Sequence, residues 1–303
     1  MAPPADGESI SLLGPLSLDI YLDRDLVLPG GGALNMAWHW RRAGLPFELL
    51  SRVGDDRPGV FGAFLARHRI PHSSELVAPG SSSSIDIVIR PDLQPRMDNF
   101  VEGVWSTFAL TPVEETRLRA GRRLHMVLVE GAIRELDRLL ATGALAGLEV
   151  TADFLGFRHY TPARLADTMR AVDVGFVGWP GRPEDAGVAE IRAVAHVLGR
   201  LIIVTFGSQG IHAFDGRPGG PGDAYFPIRA LPVAGTTVGC GDAFIAGFLG
   251  AWHTTRDVVA AIEAGAVPGA AATAWRRPLP DEAYGPEAAT ALRAADEAAS
   301  ATA

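Results

Sequence analysis

The sequence predicts an α/β fold in which helices cover a mostly parallel sheet. Short apolar runs bounded by glycine, proline or aspartate alternate with longer segments whose apolar residues recur at helical spacing. This alternation is typical of βαβ units. The chain has 303 residues, of which 48% are hydrophobic, so it can bury a large core. We therefore expect a single domain over residues 1–303.

The first third of the chain carries two helical segments between strands. The patterns predict, in order, a strand over 11–15, a helix over 35–43, a strand over 47–53 and a helix over 59–68. Residues 85–90 alternate apolar and polar side chains, which favours a strand with one buried face. Together with 96–104 they are expected to form an antiparallel pair outside the main sheet.

The middle of the chain continues the βα alternation. Buried-type strands are predicted over 124–130, 148–154, 172–177 and 201–206, and helices over 132–144, 162–171 and 184–198. The Gly/Pro-rich run 216–222 predicts a hairpin or strand-to-strand loop. Parallel sheets bind ligands outside the carboxyl ends of their strands, so the functional motifs are expected there.

Composition excludes several classes of function. All 27 basic residues are arginine, so the chain has no Walker A lysine, no Schiff-base lysine and no protein-kinase strand lysine. Its net charge is −8 and no stretch combines clustered arginine with aromatic residues, which argues against a nucleic-acid partner. Cys240 is the only cysteine, so neither an intrachain disulfide nor a cysteine-based zinc site can form.

The chain is expected to be cytoplasmic. Its apolar runs are well short of the roughly 20 residues that a membrane-spanning helix needs, so no membrane partner is expected. Residues 1–9 contain Asp6 and Glu8 and no basic stretch before an apolar run, unlike a secretory signal.

A glycine-rich turn that leads into a helix is the most informative motif. Gly239 and Gly241 permit a tight backbone, and apolar residues with helical period follow at once. A helix N-terminus offers unpaired N–H donors and a partial positive charge, which suits a phosphoryl group in transfer. Asp242 could accept a proton from an attacking hydroxyl there, or it could be an ordinary N-cap.

Residues 237–244 (TVGCGDAF) resemble the C-terminal signature of the PfkB, or ribokinase-like, carbohydrate kinases. The resemblance implies that Asp242 is the catalytic base and that the backbone of Gly239, Cys240 and Gly241 forms an anion hole. It also implies a ribokinase-like three-layer sandwich with a small β lid, with ATP and Mg²⁺ as cofactors.

Residues 29–37 (PGGGALNMA) are similar to the N-terminal signature of the same family. The resemblance implies that Gly30, Gly31 and Asn35 bind a sugar, together with Asp19 after the first strand. The alternative is a dinucleotide fingerprint, which requires Gly-x-Gly-x-x-Gly. Here Asn35 stands in place of the third glycine.

Two further matches keep the family's order. Residues 53–62 resemble its strand-to-helix turn, and residues 204–210 (VTFGSQG) resemble the strand and turn beside the nucleotide. The second resemblance implies that Thr205, Gly207 and Gly210 bind ATP. The four matches together span residues 14 to about 252.

Three departures from the family stand out. Thr236 replaces the acidic residue that usually opens the C-terminal signature, and no Asn-x-x-Glu segment follows Val177, so no metal ligand is assigned. The segment around 20–29 is short, which implies a small lid formed mainly by about 83–104. A short lid resembles the fructoselysine kinase-type members, and a homodimer through its exposed β edge is expected.

These observations predict an ATP-dependent sugar kinase that transfers the γ-phosphoryl group of ATP to a hydroxyl of a sugar or sugar derivative. The altered Thr236 and the missing Asn-x-x-Glu segment leave open a weakened or inactive regulatory descendant that binds sugar or nucleotide. A nucleoside kinase is a further alternative, and it would need an aromatic lid contact such as Phe100 or Trp105.

Overall fold

The computed structural model describes residues 9–228 and 233–286, with residues 290 and 292. Residues 1–8 lie outside this part, and most of the expectation about a secretory signal rests on them. Both ends of the predicted domain also lie outside the described residues. The described residues divide into two compact units. The first unit comprises 9–14, 46–50 and 107–228, and the second comprises 15–45, 51–106 and the described residues from 233 onward.

The predicted helices and strands are present in the predicted order. The strands are β1 (Ile10–Leu13), β2 (Ser17–Tyr21), β3 (Leu26–Gly30), β4 (Phe47–Leu50), β5 (Val53–Gly54), β6 (Val77–Ala78), β7 (Ser83–Ile89), β8 (Pro95–Val101), β9 (Arg123–Val127), β10 (Glu149–Asp153), β11 (Val174–Gly178), β12 (Leu201–Thr205), β13 (Ile211–Asp215) and β14 (Ala224–Phe226). The helices are α1 (Gly32–Ala43), α2 (Pro58–His68), α3 (Pro112–Gly121), α4 (Glu130–Ala141), α5 (Pro162–Met169), α6 (Ala186–Leu198), α7 (Cys240–Thr255) and α8 (Val258–Ala272). Of these elements, β2, β3, β5, β6, α3 and α8 are additional to the predicted ones.

The first unit is built on a mostly parallel sheet, which confirms the predicted α/β fold. Its strand order is β14-β13-β12-β11-β10-β9-β1-β4, and only the β12–β13 and β13–β14 pairs are antiparallel. Strands β10, β11 and β12 are buried along nearly their whole length, as expected for parallel strands covered on both faces. The β13–β14 pair confirms the hairpin predicted at 216–222.

The second unit contains a four-stranded sheet of order β3-β2-β7-β8. The antiparallel pair predicted outside the main sheet is present as β7 and β8. Two of its four strands come from residues 17–30. This segment thus contributes more of the sheet than the sequence predicts, because β2 and β3 form a hairpin within it. We call this the lid sheet. Its action as a lid and a homodimer through its edge strand β8 stay predictions.

Helices α7 and α8 of the second unit pack at unusually close range. A Cβ added at Gly265 of α8 would lie 2.6 Å from the Phe244 carbonyl oxygen, and one added at Gly247 of α7 would lie 2.6 Å from the Ala264 carbonyl oxygen. The indole N–H of Trp40, on α1, donates to the Ala246 carbonyl oxygen at 3.0 Å. These contacts fix α7, whose N-terminus carries the glycine-rich turn, against both neighbouring helices.

The close approach of α7 and α8 gives the first prediction. Gly265→Ala forces the two helices apart and should lower the free energy of unfolding by about 1–3 kcal/mol. Gly62→Ala is the matched control: it lies in α2, is exposed and would meet nothing within 4 Å. That change should raise stability by up to about 1 kcal/mol, because alanine loses less entropy in a helix. Thermal and urea unfolding measure both, and equal effects would refute the packing argument.

Candidate active site

The glycine-rich turn ends at Gly239, which is the N-cap of α7. Gly239 has a φ of 80°, and a Cβ there would lie 2.7 Å from the Cα of Pro278. Both facts favour glycine at this position. Asp242 lies in the first turn of the helix, and the N-cap makes no side-chain hydrogen bond. The alternative reading of Asp242 as an N-cap is therefore wrong.

The first turn of α7 leaves backbone donors available. The Cys240 N–H donates to the Thr237 carbonyl and the Ala243 N–H donates to the Gly239 carbonyl. The N–H groups of Gly241 and Asp242 have no acceptor within the helix, as is usual at a helix start. Gly241 is exposed, and a Cβ added there would meet nothing within 4 Å. The space beside Gly241 is therefore open, and that Gly239, Cys240 and Gly241 form an anion hole stays a prediction.

Asn35 and Asp242 meet although 207 positions separate them. The Asn35 Nδ2 donates to the Asp242 Oδ2 at 2.7 Å. Asn35 is buried in the first turn of α1, and its Oδ1 has no hydrogen-bond partner among the described residues. Burial raises the pKa of Asp242 to about 6, and the Asn35 amide acts in the opposite direction. The amide thus favours the carboxylate form of Asp242.

Asp19 contributes a second buried carboxyl group. It lies in β2 and is only 3% exposed, and its Oδ1 accepts a hydrogen bond of 2.9 Å from the Ser17 hydroxyl. Burial raises its pKa to about 7, the Ser17 hydrogen bond opposes this shift, and the negative charge of Asp242 adds to it. A Cβ at Gly30 would lie 2.1 Å from the Asp19 Oδ2, so only glycine leaves room for this carboxyl group.

Gly31 completes the group at the start of α1. Its φ is 95°, and a Cβ there would lie 2.7 Å from the Pro15 carbonyl oxygen. The second unit thus brings Asp19, Gly30, Gly31, Asn35 and Asp242 into one neighbourhood, of which Asp19, Gly30 and Asn35 are buried. That these residues bind a sugar stays a prediction at this point.

The residues predicted to bind ATP lie in the first unit. Thr205 ends β12, and Gly207 and Gly210 flank a single 3₁₀ turn that leads into β13. Gly210 has a φ of 100°, and a Cβ there would lie 2.6 Å from the Tyr225 ring. Gly210 is therefore required for steric reasons, while the role of the turn in nucleotide binding stays a prediction.

Sequence reasoning missed a contact between the lid sheet and the glycine-rich turn. The Thr237 hydroxyl donates to the Gln94 Oε1 at 3.0 Å, and Gln94 lies in the turn between β7 and β8. The predicted antiparallel pair implies a turn at Gln94, but no local sequence pattern indicates that this turn contacts Thr237.

The described residues contain neither a group of side chains that could hold a metal ion nor a helix that could span a membrane. Over 9–228 and 233–286, no three His, Cys, Asp or Glu side chains lie close enough together to hold a metal ion. Within the same part of the chain, no helix is long and apolar enough to cross a membrane.

Residues 161–276, which include the glycine-rich turn and Asp242, match the family model described as pfkB family carbohydrate kinase. The chain also aligns along most of its length with fructoselysine 6-kinase of Escherichia coli strain K12. The two are 26% identical over 260 residues, which cover 85% of this chain and 94% of the relative. Residues 161–276 thus resemble the pfkB carbohydrate kinases, and the chain as a whole is similar to a fructoselysine kinase. It is therefore a phosphotransferase with an alcohol group as acceptor.

Further similar proteins widen the comparison. Cytidine kinase of Thermococcus kodakarensis is 25% identical over 270 residues, which cover 84% of this chain and 92% of the relative. Adenosine kinase of Schistosoma mansoni superposes with a TM-score of 0.74 at 14% identity, over 91% of this chain and 97% of that one. Ribokinase of Thermotoga maritima superposes with a TM-score of 0.68 at 15% identity, over 95% of this chain and 99% of that one. The fold is ribokinase-like, and the two curated relatives, a sugar-derivative kinase and a nucleoside kinase, support a sugar or nucleoside kinase.

The raised pKa of Asp19 predicts a pH-dependent stability. Its folded-state pKa of about 7 lies above the ordinary value of 3.8, so its stabilising contribution is present below about pH 4 and is lost as the pH rises through about 7. Asn cannot ionise, so Asp19→Asn should raise the Tm at pH 8 and reduce the fall in Tm between pH 5 and pH 8.

The control for Asp19→Asn is Asp98→Asn, which changes an exposed aspartate of the same lid sheet. It should keep the wild-type dependence of Tm on pH. An Asp19→Asn protein whose Tm follows pH just as the wild type does would show that this carboxyl group is not held in the buried state described above.

Proposed function

We propose that this protein is an ATP-dependent kinase of a sugar or sugar derivative, in which Asp242 is the catalytic base. The observation that carries the proposal is the 2.7 Å hydrogen bond from Asn35 Nδ2 to Asp242 Oδ2. It joins the residue predicted to bind the acceptor to the residue predicted to deprotonate it. A helix-entry glycine turn kept only for folding would not require this pairing.

Asp242 can take up a proton at neutral pH. In the proposed reaction the acceptor hydroxyl gives its proton to Asp242, while its oxygen forms a bond to the γ-phosphorus and the bond from that phosphorus to the β–γ bridging oxygen of ATP breaks. Because Asn35 Nδ2 holds the Asp242 Oδ2, the other carboxylate oxygen remains available for the proton. A pKa raised to about 6 makes Asp242 a stronger base than an exposed aspartate and still leaves it ionised near pH 7.

Asp19 is proposed to bind the acceptor rather than deprotonate it. Burial raises the pKa values of both Asp19 and Asp242, and two carboxyl groups that interact do not both ionise freely. Asn35 favours the ionised form of Asp242, so Asp19 is the partner that holds a proton more readily. A carboxyl group in either state can hydrogen-bond a sugar hydroxyl, and the close fit against Gly30 fixes its position.

The start of α7 is proposed to bind the phosphoryl group in transfer. The chain has no lysine, so the predicted anion hole, the backbone of Gly239, Cys240 and Gly241, supplies the donors here, together with the Asp242 N–H. The positive end of the helix dipole adds to the attraction. ATP itself is assigned to Thr205, Gly207 and Gly210.

Mg²⁺ fits this chain as an ion carried by the nucleotide. Among the described residues no acidic cluster could hold it unaided, and Mg²⁺ commonly binds through substrate phosphates. When bound, it neutralises phosphate charge. One structure with the same fold, an Escherichia coli protein assigned as a ribokinase II, contains ATP and Mg²⁺ and superposes with a TM-score of 0.70.

A sugar acceptor is favoured over a nucleoside by the aromatic residues of this unit. Trp105, one candidate for stacking on a base, is fully buried, and its N–H donates to the Arg52 carbonyl oxygen at 3.0 Å. It is a core residue and is not available to stack on a ligand. Phe100 of β8 is half-buried and is the remaining candidate.

Replacement of the base is the direct test of the proposal. Asp242→Asn should lower kcat by about 10²–10⁴-fold, the usual contribution of a general base, and leave nucleotide binding intact. ADP release is measured with ATP and Mg²⁺ over a panel of sugars, sugar derivatives and nucleosides. Asp167→Asn, an exposed aspartate of α5, is the control and should retain full activity.

The outcomes of that assay separate the hypotheses. Turnover retained in Asp242→Asn would remove Asp242 as the base. Nucleotide binding by the wild type without turnover of any acceptor would overturn the kinase proposal in favour of a regulatory descendant.

The acid limb of the pH–rate profile tests the role of Asn35. Because Asp242 must be ionised to accept a proton, kcat/KM should fall as the pH drops through about 6. Asn35→Ala removes the amide that favours the carboxylate, so the limb should move to higher pH. Both profiles are measured from about pH 5 to about 9. An acid limb whose midpoint lies near the ordinary aspartate pKa of 3.8 in both the wild type and Asn35→Ala would contradict this electrostatic arrangement.

A further inference from the structure

The turn between β7 and β8 is joined to the glycine-rich turn by a side-chain hydrogen bond. The Thr237 hydroxyl donates to the Gln94 Oε1 at 3.0 Å, across 143 positions of sequence. Both residues belong to the second unit, and both are half-buried. Each of the two turns is closed by its own local hydrogen bonds, so this long-range contact fixes one turn relative to the other.

Thr237 opens the turn that leads into α7. Its carbonyl oxygen accepts from the Cys240 N–H at 3.3 Å, and Gly239 has a φ of 80° and a ψ of −6°. These angles are those of the third residue of a type II β-turn, here residues 237–240. The position of Thr237 therefore determines where the backbone of Gly239, Cys240 and Gly241, the predicted anion hole, begins.

The other side of the glycine-rich turn is held by backbone contacts. The Thr236 N–H donates to the Trp275 carbonyl oxygen at 2.8 Å, and the Gly235 N–H donates to the Thr273 carbonyl oxygen at 2.9 Å. The segment after α8 thus fixes the start of the turn. The contact with Gln94 fixes the next residue from the side of the lid sheet.

The turn that carries Gln94 is itself well defined. The Arg90 N–H donates to the Gln94 carbonyl oxygen at 3.0 Å, and the Leu93 N–H donates to the Arg90 carbonyl oxygen at 2.9 Å. The Gln94 N–H donates to the Asp92 Oδ1 at 3.0 Å. Because these bonds close the turn over 90–94, the Gln94 side chain starts from a fixed backbone.

Strand β7 is anchored at its other end as well. The Asp56 Oδ1 accepts from the Ser82 N–H at 2.9 Å and from the Ser82 hydroxyl at 2.7 Å, immediately before the strand begins. Within the sheet, β7 pairs with β2 so that Ile85 lies opposite Asp19. The strand that carries Asp19 is therefore linked, through β7 and Gln94, to the turn at the start of α7.

We propose that Gln94 is a positioning residue for phosphoryl transfer, because its hydrogen bond with Thr237 fixes the distance between the acceptor and the anion hole. This inference rests on the proposed function, in which Asp19 binds the acceptor and the start of α7 binds the phosphoryl group. A misplacement of reacting groups by about 1 Å lowers the rate of such a step by about 10²-fold. Gln94 touches no reacting atom and acts through the Thr237 side chain.

The experiment removes each side of the hydrogen bond with little change in side-chain volume. Gln94→Met deletes the amide, Thr237→Val deletes the hydroxyl, and Thr237→Ser keeps the hydroxyl. A protein with both Gln94→Met and Thr237→Val completes a double-mutant cycle. Arg96→Gln, which changes an exposed residue of β8, is the control from the same sheet. The values of kcat, and of KM for ATP and for the best acceptor from the panel, are measured for each protein.

Gln94→Met and Thr237→Val should each lower kcat about tenfold, the upper end of the range for one neutral hydrogen bond. The KM values for acceptor and ATP should change little, because positioning acts on the transition state. The double variant should be no slower than either single variant, since all three lose the same hydrogen bond. Thr237→Ser and Arg96→Gln should keep the wild-type kcat.

Contrary outcomes are distinguishable from failure of the proposed function. A wild-type enzyme that turns over the acceptor, with effects of Gln94→Met and Thr237→Val that multiply in the double variant, would overturn this inference and leave the kinase proposal intact. A raised acceptor KM at unchanged kcat in Gln94→Met would also overturn it. If Thr237→Val does not fold, an equal kcat in Gln94→Met and Arg96→Gln would overturn the inference. Absence of wild-type turnover with every acceptor would overturn both proposals.

Discussion

The part-buried hydrogen bond between Asn35 and Asp242 is the interaction on which the rest of the site depends. It joins the first turn of α1 to the first turn of α7, and it orients one carboxylate oxygen in surroundings that raise the pKa of the acid to about 6. Burial alone would favour the protonated form, which cannot act as a base. The amide donor favours the ionised form of the group near neutral pH.

Much of the second unit serves to hold these two helix ends together. Trp40 ties α1 to α7 through the Ala246 carbonyl, and Gly247 and Gly265 let α7 and α8 approach closely. At the other side of the site, Gly30 leaves the space that the Asp19 carboxyl group occupies. The glycines of this unit thus act mainly through close packing, and the polar groups they admit are positioned by rigid elements, as precise chemistry requires.

The sequence predicted the main sheet well and the acceptor site only in part. Continuous apolar runs such as β12 predict buried parallel strands. The signatures at 29–37 and 237–244 indicated Asn35 and Asp242, but not that the two side chains are hydrogen-bonded. Strands β2 and β3 were harder to predict, because Asp23, Arg24 and Asp25 break their pattern within a few residues. Gln94 could not be assigned from the sequence, since its contact with Thr237 depends on where the lid sheet lies relative to α7 and no local periodicity encodes that placement.

A crystal structure of the enzyme with its acceptor and a non-hydrolysable ATP analogue tests the central claim most directly. The account predicts that one acceptor hydroxyl lies within about 3.2 Å of an Asp242 carboxylate oxygen, with the γ-phosphate analogue facing the N–H groups at the start of α7. Asn35 should still donate to Asp242, and Asp19 should contact a second hydroxyl. An acceptor bound away from Asp242, or a phosphate remote from the α7 N-terminus, would contradict the account.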